Sequence, residues 1–166
     1  MIHIVLFEPE IPQNTGNIMR TCVATNSVLH LIEPLGFSVD EKHLRRAGLD
    51  YRKDLTMHVH PNWEDFTAKY PGEYFFVSRY GKKSPDMFDF NAVEGDIFLV
   101  FGKESTGIPK RIMIDHLENQ MRLPMVASAR SLNLSNTVAI ATYEILRQWD
   151  FEGFEVFGNL TKYNWE

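Results

Sequence analysis

Residues 2–7, "IHIVLF", run almost without interruption through β-forming apolar side chains. A half-exposed strand alternates polar and apolar residues, so this one is expected to be buried on both faces, as strands of parallel sheets are. Helical spacing follows at once: in "NTGNIMRTCVAT" (14–25), Ile18 with Cys22 and Met19 with Val23 are i,i+4 pairs. The alternation then continues. "VLHLIE" (28–33), "TMHVH" (56–60), "YFFVS" (74–78), "IFLVF" (97–101) and "QMRLP" (120–124) read as strands. "PNWEDFTAKY" (61–70) and "PKRIMIDHL" (109–117) read as helices opening on Pro at the first helical position. A longer helix spans 134–150, with Val138, Ile145, Leu146 and Trp149 on a roughly common face. Strands alternating with helices predict an α/β domain, a mostly parallel sheet flanked by helices.

The 166 residues fit one domain, and an apolar fraction of 44% can fill its core. With a net charge of −5 the chain is not a general polyanion binder, so contact with nucleic acid needs a local basic patch. "KHLRRAGLDYRK" (42–53) supplies one: Lys42, Arg45, Arg46, Arg52 and Lys53 against Asp50, with Tyr51 available for stacking. The single cysteine, Cys22, sits in an apolar helical pattern, which excludes a disulfide framework and fits a reducing compartment. The first ten residues have no basic region, and no stretch approaches the length of a membrane span. These features predict a cytoplasmic, soluble domain covering 1–166, with no membrane association.

Ligands of open α/β sheets bind beyond the carboxyl ends of the strands. There this sequence places "PEIPQNTG", "RYGKK", "GKESTGIP" and "SARSLNLSNT" (128–137), loops rich in glycine, amide and hydroxyl groups. Gly102 and Gly107 have P-loop spacing, but Ile108 and Pro109 replace the Lys-Ser/Thr pair that holds phosphate and metal. No G-x-G-x-x-G follows a strand. His58 and His60 share one side of a strand without a carboxylate or thiol cluster, so they read as exposed-strand residues, and no metal is expected.

Three segments in order carry a resemblance: "NTGNIMR", "LVFGKESTGIP" and "LPMVASARSLNLSNTVAIATYE". They are similar to the three motifs of the SPOUT superfamily of RNA methyltransferases, in its 2′-O-methylating SpoU branch. The resemblance covers nearly the whole chain. It implies a C-terminal deep trefoil knot formed by roughly 75–150, where strand pattern alone predicts an unknotted sheet. It implies S-adenosylmethionine as cofactor, with S-adenosylhomocysteine as product. The implied shell is Val77, Gly102, Glu104, Gly107, Leu123, Met125, Ser131, Leu132 and Asn133. The implied substrate is the ribose 2′-oxygen of the wobble nucleotide (position 34, cytidine or modified uridine) in a tRNA anticodon stem-loop, in leucine isoacceptors. No separate RNA-binding domain is expected, and the basic run 42–53 becomes the RNA-contacting surface. Another tRNA position, rRNA, or a non-catalytic RNA-binding module remain the alternatives.

Arg20 is the catalytic candidate the resemblance names, with Asn14 orienting it and Ser131 and Asn136 at the ribose or the methionine end. The family role for Arg20 is general base. A guanidinium with a pKa above ~12 is a poor base near neutral pH. Binding the target phosphate and stabilising developing alkoxide charge suits its chemistry better. Both roles stay open on the sequence, as do two for Glu104: complementing cofactor charge, or holding its own loop. The resemblance also implies a homodimer, with Tyr143 at the interface. The tail aromatics Phe151, Phe154, Phe157, Tyr163 and Trp165 are expected to pack on the core or on a second subunit.

Overall fold

The computed structural model describes residues 1–39 and 54–158. Lys42, Arg45, Arg46, Arg52 and Lys53, together with Tyr163 and Trp165, lie outside the described residues.

Among the described residues, six strands form one sheet in which every pairing is parallel. They are β1 (Ile2–Phe7), β2 (Val28–Ile32), β3 (Met57–His60), β4 (Glu73–Val77), β5 (Ile97–Phe101) and β6 (Gln120–Met121). The spatial order is β3-β2-β1-β5-β4-β6. β1 and β5 are buried at every position, as the unbroken apolar run requires. Alternate side chains of β1 serve two cores. Ile2, Ile4 and Leu6 pack with Ile18, Met19 and Cys22 of α1 (Pro12–Ala24) and with Val138, Ala141, Ile145 and Leu146 of the last helix, α4 (Leu134–Gln148). Val5 and Phe7 face Phe66 of α2 (Trp63–Lys69) and Ile112 and Met113 of the short α3 (Lys110–Met113). Burial raises the Cys22 thiol pKa to about 12, so it acts as a small hydrophobe.

Several boundaries differ from the sequence pattern for identifiable reasons. α2 starts at Trp63 because the Asn62 side chain accepts from the Asp65 N–H at 2.7 Å, and that N-cap leaves Pro61 outside the helix. The helix expected over 109–117 stops at Met113 and continues as a 3-10 turn over Ile114–Asn119, interrupted by non-helical backbone at His116. The expected strand 120–124 ends at Met121. Beyond it the Arg122 N–H turns to the Lys83 carbonyl, and Pro124 has no N–H to offer a ladder. After α4, Asp150 and Phe151 adopt left-handed backbone, and the chain reverses so that Phe151 and Phe154 pack against the core. Phe157 is exposed.

His58 and His60 are not an exposed pair. His60 is buried and ends a row of imidazoles across three adjacent strands. His3 Nδ1 lies 2.9 Å from His30 Nε2, and His30 Nδ1 lies 3.0 Å from His60 Nε2. The His58 ring stacks on His30 at 5.4 Å. At the other end, His3 Nε2 is 3.4 Å from Asp96 Oδ2.

The order of the strands decides where the loops go. β5 enters between β1 and β4, although β4 precedes it in the chain. The segments leaving β1, β4, β5 and β6 therefore meet at one edge of the sheet.

Candidate active site

At the end of β1 the chain turns through Glu8, a left-handed non-glycine residue (φ 49°) whose N–H donates to the Ile32 carbonyl. Its conformational cost is held by an ion pair: the Glu8 carboxylate takes Lys103 Nζ at 2.7 Å, and that bond raises the lysine pKa. Two further carboxylates are exchanged between the same loops. Glu10 accepts from the Ser105 N–H and Oγ, both at 2.9 Å, and these bonds lower its pKa. Glu104 accepts from the Glu10 N–H at 2.9 Å, the Ile11 N–H at 3.2 Å and Asn14 Nδ2 at 3.0 Å. α1 has no side-chain cap of its own, so Glu104 supplies the acceptor at its positive end from a distant segment. It holds the β1–α1 loop rather than only its own.

From Asn14 the bonding continues into the third loop. Asn133 Nδ2 donates to Asn14 Oδ1 at 2.9 Å. Asn133 Oδ1 caps α4 by accepting from the Ser135 N–H and Oγ (2.9 and 2.6 Å) and the Asn136 N–H (3.4 Å). One continuous relay, Glu104–Asn14–Asn133, thus ties the ends of β1 and β5 to the start of α4.

Beside this relay lies a cleft of about 400 Å³, within the range of small-molecule sites. Val77, Gly102, Glu104, Gly107, Leu123, Met125, Ser131 and Leu132 all line it. Asn133 is not among the lining residues and sits at the start of α4 as its cap. The wall contains Gly102 because a Cβ there would sit 2.2 Å from the Gly107 carbonyl carbon, and Gly107 (φ 75°) donates its N–H to the Lys103 carbonyl to close the loop. Leu123, Met125 and Leu132 provide apolar surface, while Ser131 and the glycine-rich backbone provide hydrogen-bonding groups. That mixture suits an adenosine with an apolar thioether-like arm, and S-adenosylmethionine fits the residues present. Among the described residues no group of three or more His, Cys, Asp or Glu is placed to hold a metal ion.

The four catalytic candidates do not share one wall. Ser131 lines the cleft, and Asn14 is buried in the relay. Asn136 is exposed on the first turn of α4, and Arg20 is exposed on α1. Asn14 and Arg20 are six residues apart on one helix, about 9 Å along its axis. Sequence reasoning overlooked Arg79, Tyr80, Arg122 and Arg130, which also line the cleft. Arg79 and Tyr80 belong to the "RYGKK" loop after β4, whose position beyond a strand end was the available signal.

The family model described as SpoU rRNA Methylase family matches residues 1–143. The chain belongs to the SpoU methylase family. A putative tRNA (cytidine(34)-2′-O)-methyltransferase of Geobacillus stearothermophilus is 48% identical over 153 residues, covering 92% of this chain and 98% of the relative. A tRNA (cytidine(34)-2′-O)-methyltransferase of Methylovorus glucosotrophus is 48% identical over 155 residues, covering 92% and 99%. The structure of a putative RNA methyltransferase from Bacillus anthracis matches with a TM-score of 0.89 and 46% identity, covering 94% of this chain and 99% of that one. A second structure, solved for the 2-OH methylation of C/U34 on tRNA, matches at 0.83 and 37%, covering 92% and 98%. A SpoU methyltransferase from Streptomyces viridochromogenes, in complex with AdoMet, has the same fold: TM-score 0.75 at 22% identity, covering 92% of this chain and 58% of that one.

Proposed function

We propose that this protein transfers a methyl group from S-adenosylmethionine to the ribose 2′-oxygen of the wobble nucleotide of tRNA, cytidine or modified uridine at position 34, in leucine isoacceptors. The observation that carries the reading is the cleft, whose wall draws on the loops after β4, β5 and β6 and is laced to α1 by the Glu104–Asn14–Asn133 relay. Relatives 48% identical over nearly the whole chain bear the name tRNA (cytidine(34)-2′-O)-methyltransferase, in one case as putative, which supports the reading.

The chemistry needs little beyond positioning. When bound, the cofactor supplies a methyl carbon made electrophilic by its positive sulfur. Leu123, Met125 and Leu132 would give it apolar surface, and Gly107, with open space beside it, would admit close approach. The acceptor 2′-oxygen forms its bond to carbon as the carbon–sulfur bond breaks, and its proton leaves to solvent or to a base. Arg20 neutralises the charge developing on that oxygen and the adjoining phosphate. Ser131 stands at the cleft wall to orient the ribose.

The working unit in this reading is a homodimer in the cytoplasm, built from one domain over 1–166 with its knot formed by roughly 75–150. Two features support it. Ile140 and Tyr143 leave apolar surface exposed on α4. The loop after β4 grips the chain at β6 from two sides, through Ser78 N–H to the Met121 carbonyl and Arg122 N–H to the Lys83 carbonyl, both at 2.9 Å. The basic run 42–53 gives this net-acidic chain a surface for the anticodon stem.

The test uses anticodon stem-loops with ribose or 2′-deoxyribose at the wobble position and labelled S-adenosylmethionine. The ribose substrate should accept one methyl group and the deoxy substrate none, while Arg20→Ala should bind cofactor normally and transfer none. Equal methylation of both RNAs overturns the position and the atom, and wild-type turnover by Arg20→Ala overturns its role.

A further inference from the structure

The cleft carries more positive charge than a methyl donor can use. Arg79, Arg122 and Arg130 line it, and none has a carboxylate partner among the described residues. Lys83, Lys103, Arg111 and Arg147 elsewhere on the described surface do pair, with Glu118, Glu8, Glu64 and Glu144. The carboxylate on the cleft wall, Glu104, is committed to the N–H groups at the start of α1. S-adenosylmethionine is itself a net cation, from its sulfonium, ammonium and carboxylate. Three exposed guanidinium groups beside a cationic cofactor leave positive charge that a further anion would offset.

The same rim holds an aromatic ring in the open. Tyr80 is 63% exposed, yet its backbone is fixed. Its N–H donates to Ser78 Oγ at 3.1 Å, and the Arg79 guanidinium lies 5.0 Å from the ring centroid and 2.8 Å from the hydroxyl. Next in the chain, Gly81 is pressed so closely on Met121 that a Cβ would lie 2.3 Å from its carbonyl carbon. Apart from the Arg79 contact, the ring is open to solvent. Beside arginines that have no carboxylate partner, it matches the way single-stranded nucleotides are held, with bases stacked on aromatic faces and phosphates on guanidinium groups.

We infer that Arg79, Tyr80, Arg122 and Arg130 form the seat of the target nucleotide, Tyr80 stacking on an unpaired base while the arginines take the flanking phosphates. The inference rests on the proposed methyl transfer to RNA, and it separates the seat from the basic run 42–53. The rim selects a nucleotide that is out of its stack.

The experiment uses the full chain and an anticodon stem-loop carrying fluorescent pyrrolo-cytosine at the wobble position. Its fluorescence should fall on binding wild type, keep most of that fall with Tyr80→Trp, and lose it with Tyr80→Ala. Loss of one stacked base should weaken RNA binding about 5- to 150-fold. Arg122→Gln with Arg130→Gln should flatten the slope of log K against log salt by about 0.7 for each phosphate no longer neutralised. Affinity for S-adenosylhomocysteine, measured by calorimetry, should stay within about twofold in all three variants, which also shows that the cleft is folded. Unchanged RNA affinity and fluorescence in Tyr80→Ala overturns the seat, and so does a parallel loss of cofactor affinity, which would make Tyr80 part of the cofactor pocket. If wild type binds and responds but transfers no methyl group, the proposed activity fails and the seat stands.

Discussion

Acidification should destabilise this protein through the imidazole row that crosses its sheet, and His30 allows the size of the effect to be worked out. Burial lowers the His30 pKa from 6.5 to about 3, with His3, His60 and His58 adding like-charge repulsion. Burial also lowers the pKa values of His3 and His60, with Asp96 opposing it at His3. Each group is held neutral in the fold and protonates more readily in the unfolded chain. The stability they contribute is therefore complete above pH 6.5 and drains as pH falls from 6.5 towards the folded values. For His30 alone, linkage between 6.5 and about 3 gives a loss of about 2 kcal/mol at pH ~5. The perturbation that isolates it is His30→Leu, compared with wild type by urea unfolding at pH ~8 and ~5. Curves are taken only once unfolding and refolding superimpose. At pH ~8 the variant should be the weaker, since His3 Nδ1 and His60 Nε2 each lose a partner, at about 1–3 kcal/mol apiece. At pH ~5 the gap should close by about 2 kcal/mol, because only wild type still carries the His30 burden. A gap that stays constant or widens refutes the reasoning.

Two other perturbations probe the cleft. Gly102→Ala drives a methyl group into the Gly107 backbone at 2.2 Å and should cost about 3 kcal/mol and abolish cofactor binding. Gly107→Ala meets nothing within 4 Å and suffers only its φ of 75°, so about 1–2 kcal/mol is expected; thermal unfolding and cofactor titration rank the two, and the reverse order would contradict the geometry. Asn14→Ala should lower stability by about 1–3 kcal/mol by removing one of the three donors to Glu104 and the acceptor of Asn133 Nδ2, and Asn14→Asp should cost more because it sets a second carboxylate against Glu104. An Asp variant as stable as wild type in chemical denaturation would show that the relay is dispensable.

Much of this molecule was readable from local pattern. The apolar run 2–7 announced a strand buried on both faces, the i,i+4 pairs announced α1, and the polar loops fell at strand ends. The motifs named a cofactor shell of which eight members line a single cleft. Periodicity carries this information because burial of one face is a property of neighbouring residues. It cannot report which strands are neighbours, since ladder bonds join residues far apart in the chain. The insertion of β5 between β1 and β4 was decided only in three dimensions. So were the bonds from Glu104 to Asn14 and from Asn133 to Asn14, across 90 and 119 residues. The same holds for His60, which looks like a strand-surface residue in its own segment and is buried because His30 and Phe66 cover it from other elements. Arg79 and Tyr80 come from the loop after β4 and Arg122 and Arg130 from the loop after β6, and they form one rim only because parallel strands deliver their carboxyl ends to the same edge.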